Sequence, residues 1–62
     1  MKLYPREREI LGLIRDGLTD AEIARRLGIS VHTVRSHLRD AKERNNVYRR
    51  VTLAMMAIGG DE

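Results

Sequence analysis

The sequence predicts an all-α domain of four short helices, and three observations carry that reading. Apolar residues recur at helical rather than strand spacing, as in Ile10, Leu11, Leu13 and Ile14 and again in Val34, Leu38 and Ala41. The helical stretches are bounded by residues that start or stop helices: Pro5, Gly17, Thr19, Gly28, Ser30 and Asn46. Within Thr19 to Arg39, Ala24 suits a close helix crossing, Gly28 a sharp turn, and Val34 the packing of the second helix on the first. That stretch reads as a helix-turn-helix.

Helix 1 is expected over residues 5–16. Pro5 suits its first turn, Glu7 and Glu9 favour its positive end, and Gly17 ends it in the left-handed region so that Leu18 folds back. The cap position falls on Tyr4, which has no short oxygen to offer, so the capping box with Glu7 is half complete. Helix 2 is expected over 20–27. Thr19 and Glu22 form a T-x-x-E capping box, Ile23, Ala24 and Leu27 face inward, and Gly28 stops the helix. Ile29 then inserts into the core and Ser30 caps helix 3, expected over 31–45.

At 100° per residue, Val34, Leu38, Ala41 and Asn45 form one stripe of helix 3. His32, Arg35, Ser36, Arg39 and Glu43 lie opposite, and Asn46 is the left-handed stop. Helix 4 is expected over 48–58 and, with Val51, Leu53, Ala54, Met55, Met56, Ala57 and Ile58, has almost no polar face. A helix apolar all round needs cover on both sides, and 62 residues leave too little protein to cover the second. A homodimer seam through Val51, Leu53, Ala54, Met56 and Ala57 follows; the alternative is an intramolecular helix with a few exposed apolar groups. Gly59, Gly60, Asp61 and Glu62 read as a frayed tail.

A single domain of 62 residues buries only about 60% of the surface of its unfolded chain, so its stability is modest. Without cysteine it has no disulfide staple, which again favours a second subunit. His32 and His37 sit roughly 140° apart around one helix and cannot share a metal ion; no metal or cofactor is expected. No apolar run approaches the roughly 20 residues of a membrane span, and the first residues lack an apolar h-region ahead of a small-residue cleavage site. A cytoplasmic, nucleoid-associated protein is expected, without a membrane partner. Met1-Lys2 is a plausible native start, which favours a stand-alone protein over a piece of a larger regulator.

The net charge is +3, and its distribution matters more than its size. Residues 35–50 hold six basic residues against two acidic, a net of +4, so the remainder sums to −1. Arginines four apart, Arg35 and Arg39, point the same way from helix 3, and arginine can donate two parallel hydrogen bonds to guanine in the major groove. Base contacts are expected from Arg35, Ser36, Arg39, His32 and Val31, the last against a thymine methyl. Phosphate contacts are expected from Thr19, Arg26, Ser30, Thr33, His37 and Lys42, with Arg25, Arg44 and Arg49 as further candidates. Taken singly, each charge reads more readily as solvated surface than as a phosphate partner, and His37 equally as a structural hydrogen-bonding group. Arg50 is expected to pair with Glu7 and lock helix 4 to helix 1. There is no nucleophile elbow, phosphate-cradling glycine loop or paired carboxylate cleft, so no enzyme is expected.

These residues resemble the LuxR-type (GerE-like) DNA-binding domain of bacterial transcription regulators. The resemblance lies in Leu3-Tyr4-Pro5-Arg6-Glu7-Arg8-Glu9-Ile10-Leu11, Gly17-Leu18-Thr19-Asp20-Ala21-Glu22-Ile23-Ala24, Leu27-Gly28-Ile29-Ser30 and Thr33-Val34-Arg35-Ser36-His37. It implies a four-helix domain with helix 3 as recognition helix, and dimers through helix 4 that read two half-sites of double-stranded DNA. By motif position, base contacts fall on Arg35, Ser36 and Arg39, and phosphate contacts on Thr33 and the helix 3 N-terminus. Tyr4 departs from the usual hydroxyl cap, Asn45 from a usual leucine, and Ser36 from a frequent aliphatic residue. Two other readings share the fold: an interaction module pairing through helix 4 with a larger regulator, as an anti-activator or co-regulator does, and a sigma-factor-like module contacting promoter DNA with RNA polymerase.

Overall fold

The first three helices stop by one device used three times. A residue takes positive φ, and the apolar residue after it folds back to donate its N–H to the helix it has left. Gly17 (φ 94°), Gly28 (φ 71°) and Asn46 (φ 57°) occupy the left-handed positions. The returning N–H groups are those of Leu18 to Leu13 O (3.1 Å), Ile29 to Ala24 O (3.0 Å) and Val47 to Lys42 O (2.8 Å). Leu18, Ile29 and Val47 pack against the core, so each stop also adds apolar burial.

The computed structural model describes the backbone of residues 1–60 and side chains through Ala57. The helices are α1 (Pro5–Arg15), α2 (Asp20–Leu27), α3 (Val31–Arg44) and α4 (Arg50–Gly60), and no strand occurs among the described residues. Helices 1 to 3 match expectation to within a residue. The fourth starts two residues later than expected, because Val47 is spent on folding back, Tyr48 stands in solvent, and the first intrahelical bond runs from Leu53 N–H to Arg49 O (3.0 Å). It also continues past Ile58 through Gly60, where a frayed tail was expected; Asp61 and Glu62 lie outside the described residues.

Helix starts follow the sequence closely. Glu22 N–H donates to Thr19 Oγ1 (3.2 Å) while Thr19 N–H donates to Glu22 Oε1 (2.8 Å), closing the capping box. Thr33 N–H donates to Ser30 Oγ (3.0 Å) at the start of α3. At α1 the box is half built: Tyr4 N–H reaches Glu7 Oε1 (2.9 Å), but the phenol caps nothing. Instead the Tyr4 ring lies under the Arg44 guanidinium, 4.2 Å from centroid to Cζ.

Ile10 and Leu11 of α1, Ile23 and Ala24 of α2, Val34, Leu38 and Ala41 of α3, and Leu53 and Ala54 of α4 form one core with Leu3. Burying a large aliphatic side chain here contributes about 1.5–3 kcal/mol before entropy is counted. Helix α4 packs chiefly on α1 and only lightly on α3, which leaves the far side of α3 uncovered.

Two polar clamps complete the frame, and one corrects an expectation. Glu7 pairs with Arg44, not Arg50: Arg44 Nη1 and Nη2 donate to Glu7 Oε1 and Oε2 at 2.7 and 2.9 Å. The last turn of α3 lies over the start of α1, whereas Arg50, opening α4, meets Asp20 at the start of α2. Glu7 is only 3% exposed. Burial pushes its carboxyl upward, but the Arg44 hydrogen bonds, the Tyr4 N–H and the charge on Arg44 outweigh that and hold it below the usual glutamate range. The second clamp gives Asn45 its role. Its Oδ1 accepts from Lys2 N–H (2.8 Å), and its Nδ2 donates to Lys2 O (2.9 Å) and Ala41 O (2.8 Å). A leucine there would fill space; the amide instead holds the chain segment that delivers Leu3 to the core.

Candidate nucleic-acid interface

The turn between α2 and α3 is short and doubly fixed. Gly28 bends the chain, Ile29 plugs into the core, and Ser30 caps α3 through Thr33 N–H. The Ser30 and Thr33 hydroxyls are also bonded to each other at 2.9 Å, so one hydroxyl proton of the pair remains to donate outward.

Opposite the buried stripe of α3, His32, Arg35, Ser36 and Arg39 fall within an arc of about 100°. His32, Arg35 and Arg39 are exposed; Ser36 and Val31 are half-buried, and Val31 also packs against the core. Arg35 is the most defined of them. Its side chain is 68% exposed, yet its Nε donates to Asp20 Oδ2 at 3.3 Å. Arg39 Nε lies 3.8 Å from Asp40 Oδ1, beyond hydrogen-bond range, and leaves the guanidinium free to reorient.

The positive charge of residues 35–50 is therefore less available than its sum implies. Arg44, expected among the phosphate partners, is committed to Glu7, and Arg50 is committed to Asp20 through two hydrogen bonds, Nη1 to Oδ1 and Nη2 to Oδ2 (2.8 Å). The Arg50 hydrogen bonds hold the Asp20 carboxyl below the usual aspartate range, against the effect of its partial burial and with help from Arg35.

Of the expected phosphate partners, Thr19, Ser30 and Thr33 stand at helix N-termini with their side chains already capping or paired, and Thr19 and Ser30 are exposed. His37 is half-buried. Lys42 borders a depression with Glu43, Asn46, Val47 and Tyr48, about three turns from the start of α3. Arg26 does not join the α3 stripe; it opens toward α1, in depressions shared with Arg8, Glu9, Gly12, Leu13 and Asp16 or with Gly17, Leu18, Glu22 and Arg25.

The predicted seam is divided. Leu53 and Ala54 are buried inside the domain and have no surface to give a second copy, because α4 turns that edge onto α1. Ala57 is half-buried, while Val51 (60% exposed), Met55 (64%) and Met56 (46%) form an uncovered apolar face. Met55 belongs to that face although the expected seam omitted it. Sequence reasoning also missed Asp20, which among the described residues is the carboxylate hydrogen-bonded to the exposed α3 stripe; nothing in a fifteen-residue separation signals the contact, which exists only once the turn has set the two helices side by side.

A tight turn, an inserted apolar residue and a second helix with a basic outer stripe define a helix-turn-helix domain. Comparison with known proteins gives the same result: residues 1–57 match the model of the bacterial regulatory proteins of the luxR family, and the chain belongs to that family. It is 43% identical over 51 residues to the monoamine regulon transcriptional regulator of Klebsiella aerogenes, which covers 82% of this chain and 22% of that protein. It is 43% identical over 54 residues to the nitrate/nitrite response regulator protein NarL of Escherichia coli, covering 87% of this chain and 25% of NarL. The match to the putative HTH-type transcriptional regulator YhjB of the same species is also 43% over 54 residues, 87% of this chain and 27% of YhjB. The chain thus spans about a quarter of the length of these relatives. Among the described residues no helix is long and apolar enough to cross a membrane.

Proposed function

We propose that this chain is a sequence-specific DNA-binding module of a transcription regulator, acting in the cytoplasm as a homodimer with α3 in the major groove. The observation that carries the reading is the exposed stripe of His32, Arg35 and Arg39 on a helix whose start is fixed by Gly28, Ile29 and Ser30. Arg35 and Arg39 read guanine through paired donors, and His32, Ser36 and the outer edge of Val31 make the flanking base contacts. Thr19, Ser30 and Thr33 serve phosphates from helix N-termini, and Arg26, His37 and Lys42 add charge along the backbone.

The longest dimension of one domain is 27 Å, less than one turn of duplex, about 34 Å. A roughly palindromic site therefore asks for two copies, and the Val51, Met55 and Met56 face is where they pair. Titration of selected and random duplexes at several salt concentrations tests this. The selected duplex is expected to bind at least a thousandfold tighter at physiological salt, with steep salt dependence for both. Equal affinity for the two duplexes would overturn the claim of sequence reading.

The same uncovered face supports a second reading, a module that pairs through α4 with a larger regulator or with RNA polymerase. Methionines suit an adaptable seam. Substitutions at Met55 and Met56 that abolish regulation while Arg35→Ala and Arg39→Ala do not would favour it.

A further inference from the structure

We infer that Asp20 is a positioning residue for DNA reading: it holds Arg35 by its Nε edge and so presents the two-donor Nη edge of that guanidinium to the groove. The inference rests on the proposal that Arg35 contacts bases. Three observations support it. Asp20 does not need Arg35 as a partner, because Arg50 already satisfies both carboxylate oxygens through two hydrogen bonds. The Arg35–Asp20 pair adds little to folding, since the Arg35 side chain is 68% exposed and exposed pairs are weak. Yet the contact goes through Nε at 3.3 Å, the one guanidinium nitrogen that an arginine does not use when it meets guanine end-on with Nη1 and Nη2.

The consequence is a preorganised arginine. A long, solvated side chain loses rotamer freedom on binding, and a tether that fixes it beforehand removes part of that loss. Asp20 also faces the site with negative charge, which opposes loose attraction to any phosphate. The first effect raises affinity for the duplex that Arg35 reads and the second lowers affinity for any other, so both raise the ratio of specific to non-specific affinity. Arg39, with no hydrogen-bonded carboxylate, has no such tether. The guanine read by Arg35 is therefore expected to be the more stringently required of the two.

The test is a double-mutant cycle on that ratio, measured for the chain with the selected duplex and with the same duplex carrying a substitution at the Arg35 base pair. Asp20→Asn is expected to lower the ratio roughly three- to tenfold and to have no effect on it in the Arg35→Ala background. Asp20→Glu, which keeps a charge for Arg50 but displaces Arg35, is expected to lower the ratio while leaving the melting temperature near that of the parent chain. If Asp20→Asn changes the ratio equally with and without Arg35, the residue acts through helix packing and the inference is overturned. If neither Asp20 variant changes it, the tether does nothing for reading. If Arg35→Ala itself leaves the ratio unchanged while Arg39→Ala lowers it, the assignment of Arg35 as a base reader fails and the inference falls with it.

Discussion

The two ends of α3 use the same residue types for opposite ends. At its C-terminal end the last two polar side chains turn inward: Arg44 onto Glu7 and Lys2 O, Asn45 onto Lys2 and Ala41 O. At its N-terminal end Ser30 and Thr33 bond only each other, His32 stands in solvent, and Arg35 touches a single carboxylate. One end fixes where the helix sits, and the other is left for a partner. Sequence does not separate these roles by composition, because each end carries an arginine and a short polar residue. What separates them is the company each keeps: α1 and the N-terminal segment lie over one end, whereas the other is joined to α2 by the tight turn and meets Asp20 through Arg35.

The largest effect is expected from breaking the inward end. Glu7→Gln removes the charge that Arg44 meets and weakens two short hydrogen bonds in a largely dry site. The expected cost is about 3 kcal/mol of folding stability. For a domain of this size that lowers the melting temperature by roughly 12–24 °C in thermal denaturation followed by circular dichroism. A drop of only a few degrees would mean that Glu7 and Arg44 find adequate water in the folded state.

At the outward end the expected effects are on binding, with stability unchanged. Arg39→Ala is expected to relax preference at one base position, at a cost of about 1–3 kcal/mol against the preferred duplex. Arg26→Ala is expected to weaken all duplexes alike and to reduce the salt slope by about one. Because Arg26 opens toward α1 rather than along the α3 stripe, an unchanged salt slope for Arg26→Ala would remove it from the interface altogether.

Acid separates the ends more gently. The folded-state pKa values of Glu7 and Asp20 are both lowered. Their stabilisation is therefore complete above the unfolded values, about 4.3 and 3.9, and is lost as pH falls through the lower folded values. The melting temperature is expected to be flat from neutrality to about pH 5 and to fall below that. Glu7→Gln is expected to flatten much of the fall, and Asp20→Asn a smaller share, since the Arg50 and Arg35 side chains beside Asp20 are more exposed than Arg44. Equal flattening by both would show that the two carboxylates are equally held.

Most of the frame was legible because it is local. The stops at Gly17, Gly28 and Asn46 and the caps at Thr19 and Ser30 are decided within four or five residues, and each occurs where the sequence puts it. The polar clamps were not legible, because Arg44 and Arg50 both had to choose between Glu7 and Asp20, and that choice depends on how α3 and α4 lie relative to α1 and α2. For the candidate site, periodicity was enough to name the exposed stripe of α3. It could not show which of its arginines is tethered, nor that α4 spends Leu53 and Ala54 on its own core.

The smallest expected effect concerns Asn45, at the end of the buried stripe of α3, where the family resemblance implies a leucine. Asn45→Leu removes three hydrogen bonds, but the two to Lys2 lie at an exposed edge where water can replace them. The loss in stability is expected to be under about 1 kcal/mol. Its local signature is larger than its global one: the Lys2 amide loses its acceptor, so amide hydrogen exchange at Lys2 is expected to speed up well before that of buried core amides such as Ile10 changes. If the Lys2 amide stays protected in Asn45→Leu, then Leu3 in the core and Arg44 on Lys2 O are enough to hold the N-terminal segment. The amide at position 45 would then matter for ending α3 beside Ala41 O rather than for fastening the start of the chain.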